Sequence, residues 1–175
     1  MTTERNDFFK LAGKFVTIVG DDVRVGQVAP GFVSTAQDWS TVNPLQDSMG
    51  KVVILCAVPS LDTSVCDRET RRFNVDVSGM SEDIHVYVIS TDLPVTQKRW
   101  CGAAGIDRVH VVSDVLNTEF AEKYGVLIRE RRWMRRAVFI VGRDGKIRYV
   151  AYMPELGIEP NYEEVFAAAR AALDE

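Results

Sequence analysis

A chain of 175 residues, 46% hydrophobic and 26% charged, is ordinary globular material, long enough to bury a sizeable core and short enough to be read as one domain over 1–175. Its 21 basic and 25 acidic residues leave a net charge of −4, which argues against a broad nucleic-acid surface. No apolar run reaches bilayer length, Met1–Lys14 lacks the apolar core and cleavage site of a secretory signal, and three cysteines do not suggest a secreted disulfide framework; reduced thiols in a cytoplasm are the expectation.

Phe15–Val19 and Val23–Val25 flank Gly20-Asp21-Asp22 and read as a β-hairpin. Ala29-Pro30-Gly31 breaks the pattern, Phe32–Thr35 reads as a short strand, and the polar stretch from Gln37 to Gly50 as a surface connection. The unbroken apolar, β-branched run from Val52 to Val58 has the composition of a strand buried on both faces, and it stops at Pro59. Asp62, Thr63 and Ser64 favour caps and turns, after which Val65, Thr70, Phe73 and Val77 recur at intervals that can share one helical face. Cys66 therefore falls in the first turn of a helix that follows a buried strand. Unpaired backbone N–H groups and the positive end of the helix dipole favour an anion there, and a thiolate is the reactive form of cysteine.

Ser78–Ser81 ends that helix and Ile84–Ser90 is a second buried strand, so a parallel pairing with a right-handed crossover follows. Thr91 or Asp92 is expected to cap a helix with Pro94 in its first turn, which carries Cys101 near its end and closes at Gly102 or Gly105. Arg108–Ser113 reads as a third strand and Asn117–Tyr124 as a short helix with Gly125 as its left-handed cap. Ala137–Val141 and Lys146–Tyr152 bracket Arg143-Asp144-Gly145, a hairpin signal. In the final segment Glu164 stands at capping distance from Asn161, and Tyr162, Val165, Phe166, Ala169 and Leu173 share a face. This order is that of an α/β thioredoxin-like fold with an N-terminal β-hairpin extension.

Pro59, Thr63 and Cys66, spaced Pro-x-x-x-Thr-x-x-Cys, resemble the peroxidatic motif of the peroxiredoxins. The run Pro59–Cys66, with Asp92-Leu93-Pro94 and Trp100-Cys101-Gly102-Ala103 downstream, resembles one branch of them, the bacterial thiol peroxidases, which are atypical two-cysteine peroxiredoxins. The likeness extends from about Val16 to the C-terminal helix. It implies the peroxiredoxin architecture and a thiol-dependent reduction of hydrogen peroxide and organic hydroperoxides, with no metal and no other cofactor. Cys66 would be the peroxidatic cysteine, attacking the O–O bond to give sulfenic acid, and Cys101 the resolving cysteine that turns it into an intramolecular disulfide. Thioredoxin or a similar dithiol protein would reduce that disulfide, and the chain would be a cytoplasmic homodimer. The family's active-site arginine matches Arg136 in Arg135-Arg136-Ala137, with Arg135 as the alternative register; its guanidinium would hydrogen-bond thiolate and peroxide together. Thr63 would hydrogen-bond sulfur and peroxide, and Pro59 would shield the thiolate from water.

Read without the resemblance, Cys66 is a partly buried structural cysteine, Thr63 a helix cap, Pro59 a strand terminator, Arg136 a solvated member of a basic run, and Cys101 a core residue beside Trp100. Asp67 and Glu69 oppose a thiolate at Cys66, so a guanidinium has to outweigh them. A disulfide requires Cα atoms within about 7 Å, so two cysteines on separate helices imply local unfolding during turnover, with Gly102 and Gly105 as points of give. Cys56, in mid-strand, departs from the family pattern and reads as core. His85 and His110 sit within apolar strands and lack a second ligand at metal spacing. Two other functions stay open: a thiol–disulfide exchange protein on the same fold, although no Cys-x-x-Cys is present, and a redox sensor in which Cys66–Cys101 switching changes a surface.

Overall fold

The computed structural model describes residues 2–175. The chain begins with two paired strands, β1 (Glu4–Leu11) and β2 (Lys14–Val19), and passes through the short β3 (Ser34–Thr35), β4 (Thr41–Val42) and α1 (Pro44–Asp47) to the central β5 (Val52–Ala57). Then α2 (Ser64–Val77), β6 (Ile84–Ser90), α3 (Pro94–Ala104) and β7 (His110–Ser113) alternate, followed by α4 (Glu119–Lys123) and the two-residue strands β8 (Leu127–Ile128) and β9 (Trp133–Met134). A hairpin of β10 (Ala137–Val141) and β11 (Ile147–Tyr152) leads to the last helix, α5 (Tyr162–Ala171).

All six residues of β5 are buried, because the strand lies in the middle of a seven-stranded sheet of order β11-β10-β5-β6-β7-β3-β4. Its alternate side chains enter opposite layers. Val52, Ile54 and Cys56 meet Phe73 and Val77 of α2, Trp100 and Cys101 of α3, and Val165, Phe166 and Ala169 of α5. Val53, Leu55 and Ala57 meet Phe32, Phe120, Ala121 and Met134 on the other side. An uninterrupted apolar run is the sequence such a doubly covered strand needs. Phe73 carries the α2 face: it is fully buried, with edge-on contacts to Tyr162 and Phe166, and its burial contributes about 2–3 kcal/mol. Strands β5, β6 and β7 are parallel, and β10 runs antiparallel to β5, as the strand–helix–strand and hairpin patterns require. This is the expected thioredoxin-like arrangement, with a four-stranded sheet of order β1-β2-β8-β9 added to it.

The N-terminal hairpin is displaced from its expected position. Lys14–Val19 pairs with the preceding Glu4–Leu11 instead of with Val23–Val25. The turn is Ala12-Gly13, with φ of +49° and +78°, the backbone hand that a two-residue hairpin turn needs. The signal of β1 was muted by its charges and its largely exposed faces, and by the irregular register between Arg5 and Phe9. Gly20 is no turn residue; a Cβ there would lie 1.8 Å from the Glu122 carbonyl oxygen, so glycine lets two backbones pass closely. The stretch from Gln37 to Gly50 contains β4 and α1, elements too short to carry a period. At α3 the cap position belongs to Leu93, which makes no side-chain cap bond, and not to Thr91 or Asp92; Pro94 opens the helix and Gly105, at φ +66°, closes it. Asn161 caps α5 by accepting the Glu164 N–H, as expected.

Candidate active site

The site is built where β5 ends. Ala57 pairs with Ala137, so the residue before β10, Arg136, comes level with the point at which the chain leaves the sheet through Val58 and Pro59. Pro59 is buried, and after it the chain turns through Ser60–Asp62 into α2. Thr63 occupies the N-cap position in extended conformation, yet its side chain makes no capping bond. Its hydroxyl oxygen lies 2.7 Å from the Cys66 Sγ and 3.0 Å from the Ser60 carbonyl oxygen. A hydroxyl has one proton, so Thr63 donates to the carbonyl or to the sulfur, one at a time, and accepts with its lone pairs. The structural reading of Thr63 as a simple cap does not describe this geometry.

Cys66 is the third residue of α2 and is fully buried. Nη2 of Arg136 donates to its Sγ at 3.3 Å. Arg136, nearly without exposure, is fixed on three sides: Nε and Nη2 donate to the Leu156 carbonyl at 3.1 and 3.0 Å, and Nη1 forms an ion pair with the Glu69 carboxylate. Arg135 points elsewhere. It donates to the Gly125 carbonyl, pairs with Asp22 and lies 4.0 Å from the Tyr152 ring centroid, tying the body of the sheet to the N-terminal segment.

Glu69 is the residue whose role the sequence concealed. In sequence it stands as an opposing charge at Cys66; in the fold, one helical turn onward, it is fully buried and holds the arginine that touches the sulfur. Burial pushes its carboxyl up to about 7, against the pull of Arg136, and its Oε1 has no hydrogen-bond partner among the described residues. Asp67 turns outward and accepts from Arg71 at 2.9 Å. The usable signal was spacing: residues three apart on a helix share a face, so Cys66 and Glu69 look in the same direction.

Cys101 is buried on α3, and its sulfur accepts a hydrogen bond from Gln37 Nε2 at 3.4 Å. Burial pushes its thiol up. All three cysteines are free, and all three belong to the core cluster on one face of the sheet. Cys56 is wholly enclosed in β5, its thiol pushed far up by desolvation, a core residue as expected. His85 bonds Ser48 through Nδ1 at 2.8 Å, and His110 stacks on Tyr87 with 4.8 Å between centroids.

A buried sulfur held between a hydroxyl and an arginine at a helix N-terminus suits a thiol that attacks an electrophile and must carry charge while doing so. The profile of the AhpC/TSA family matches residues 25–150. The thiol peroxidase of Bacillus subtilis is 45% identical over 156 residues, covering 89% of this chain and 92% of that protein. That of Oceanobacillus iheyensis is 46% identical over 152 residues, 87% of this chain and 92% of the relative. Among solved structures, a peroxiredoxin-like protein from Aquifex aeolicus superposes with a TM-score of 0.83 at 40% identity, covering 91% of this chain and 94% of that one. The chain belongs to the AhpC/TSA family, in the branch of its thiol-dependent peroxidases.

Proposed function

We propose that this thiol-dependent peroxidase works by an intramolecular two-cysteine cycle on one domain. The Cys66 thiolate attacks the near oxygen of a hydroperoxide, the O–O bond breaks, and with one proton taken up the products are Cys66 sulfenic acid and water or an alcohol. The Cys101 thiolate then attacks the sulfenic sulfur, forming the disulfide and, with one proton taken up, releasing water. A dithiol donor reduces the disulfide and is itself oxidised. The observation that carries this reading is the Cys66 sulfur lying 2.7 Å from the Thr63 hydroxyl oxygen and 3.3 Å from Arg136 Nη2.

In this cycle Arg136 spreads its positive charge over thiolate and peroxide oxygens as negative charge moves from one to the other. Thr63 holds the peroxide by accepting or donating at its hydroxyl, and Pro59, buried at the end of β5, keeps bulk water from the sulfur. Thioredoxin or a similar dithiol protein is the donor, hydrogen peroxide and organic hydroperoxides are the substrates, and the protein acts as a homodimer in the cytoplasm. No described helix is long and apolar enough to cross a membrane.

Hydroperoxide consumption with thioredoxin, its reductase and NADPH tests the reading. Many turnovers per chain support it. One equivalent followed by arrest would favour a sensor, and activity on disulfides without activity on peroxide would favour an exchange protein.

A further inference from the structure

One carboxylate joins the beginnings of the two cysteine helices. Asp92 lies between β6 and α3, two residues before the Pro94 that opens the helix of Cys101. Its Oδ1 accepts the Ser60 hydroxyl at 2.7 Å; its Oδ2 accepts the Leu61 backbone N–H at 2.9 Å and the Ser90 hydroxyl at 2.7 Å. Ser60 and Leu61 form the turn between Pro59 and Thr63, and the Ser60 carbonyl is the one facing the Thr63 hydroxyl. Leu61 is fully buried in the cluster that also holds Cys66 and Cys101.

The Asp92 end of this tie is a fixed post. Its backbone carbonyl accepts the Ser113 hydroxyl at 2.6 Å, and the Ser90 oxygen accepts from Gln97 Nε2, which also donates to the Val112 carbonyl. Ser90, Gln97 and Ser113 are buried and come from β6, α3 and β7, so three elements hold the post in place. On the other side, the turn is held to it by two hydrogen bonds. In the cycle proposed above Cys66 leaves Thr63 and Arg136 to meet Cys101, and the Ser60–Leu61 segment held by Asp92 is the one that leads into the first turn of α2, where Cys66 sits.

We propose that Asp92 is a positioning residue: it latches the Ser60–Leu61 turn, keeps Cys66 in its peroxide-reactive place, and sets how often the sulfenic acid is released towards Cys101. The inference rests on the two-cysteine cycle proposed above. Asn at this position keeps the size, removes the charge and turns an N–H2 group towards one of three donors. Hydrogen bonds to a charged acceptor are strong enough that their loss raises the released population by about tenfold.

Asp92→Asn separates the two steps. Reduced protein is mixed with one equivalent of hydroperoxide, quenched at intervals, alkylated and analysed by mass, which gives the loss of the Cys66 thiol and the gain of the disulfide as separate rates. The disulfide step is expected to quicken about tenfold, while the peroxide step falls by no more than about twofold because the docked turn stays the majority form. With excess peroxide, the competing reaction of sulfenic acid with a second hydroperoxide, giving sulfinic acid and water or an alcohol, falls correspondingly. A merely structural residue would not speed one step. Ser60→Ala removes one donor only and is expected to act in the same direction by less. A wild-type chain that forms the Cys66–Cys101 disulfide while both variants leave its rate unchanged or slower overturns the latch alone. A wild-type chain that forms no such disulfide overturns the cycle and the latch together.

Discussion

The Arg136 guanidinium and the Glu69 carboxylate form an ion pair out of solvent, one helical turn along α2 from the sulfur that Arg136 also touches. The arginine is therefore aimed by the Glu69 carboxylate at Nη1 and by the Leu156 carbonyl across Nε and Nη2, and Nη2 also serves Cys66. Arg136→Met removes the charge from the reacting centre and strands Glu69. The expected loss is about a hundredfold or more in the peroxide step, with stability reduced by about 3–5 kcal/mol. The double variant Arg136→Met/Glu69→Gln is expected to regain most of the stability and none of the rate. Denaturant unfolding and single-turnover oxidation, run in parallel, check both.

The pH dependence of stability follows from the same pair. Burial raises the Glu69 carboxyl from 4.5 to about 7, so the folded chain holds this proton more tightly than the unfolded chain does. Its contribution is complete below pH 4.5 and is lost as pH rises through about 7. Relative to Glu69→Gln, the wild type is expected to lose stability across that interval, the reverse of an ordinary paired carboxylate. Urea unfolding of both proteins at intervals from pH 4.5 to 7.5 measures it; a flat difference contradicts it.

Thr63→Val keeps the shape and removes the hydroxyl. About a hundredfold loss in the rate of Cys66 oxidation is expected, with little change in stability, because Thr63 makes no capping bond that the helix could miss. Thr63→Ser is expected to restore most of the rate. Stopped-flow oxidation by hydrogen peroxide distinguishes this from a capping role, in which stability would fall and the rate would not.

Much of this was legible in the sequence because periodicity and punctuation agreed. An apolar run ending at Pro59, hydroxyl-bearing residues before Cys66, the Arg143-Asp144-Gly145 turn and the Asn161–Glu164 spacing each have one local cause. What was hidden depended on tertiary partners. Strand β1 is mostly polar and pairs only because β2 supplies it with an inner neighbour. Strands β8 and β9 have two residues each and exist through pairing alone. In sequence Glu69 reads as a charge opposing Cys66 and Asp92 as a cap for the Cys101 helix; the first becomes a buried partner through Arg136, 67 residues away, and the second a tie through Ser60, 32 residues back. Arg135 and Arg136 are indistinguishable by type, and alternation along the strand that follows sends them to opposite sides.

Arg135 supplies the contrasting prediction. Its guanidinium bonds Gly125, pairs with Asp22 and stacks over Tyr152, all away from Cys66. Arg135→Met is expected to lower stability by about 1–3 kcal/mol and to leave the peroxide step within about twofold of wild type. A melting curve and a stopped-flow trace on the same preparation decide it, and a rate loss matching that of Arg136→Met would move the active-site role between the two arginines.

The most direct test of the central claim is a peptide disulfide map of the reduced protein after one equivalent of hydroperoxide. The expected product is a single intramolecular link between Cys66 and Cys101, with Cys56 still a thiol inside β5. A Cys66 that stays reduced, or that pairs with Cys56 or with a second chain, would contradict the two-cysteine cycle.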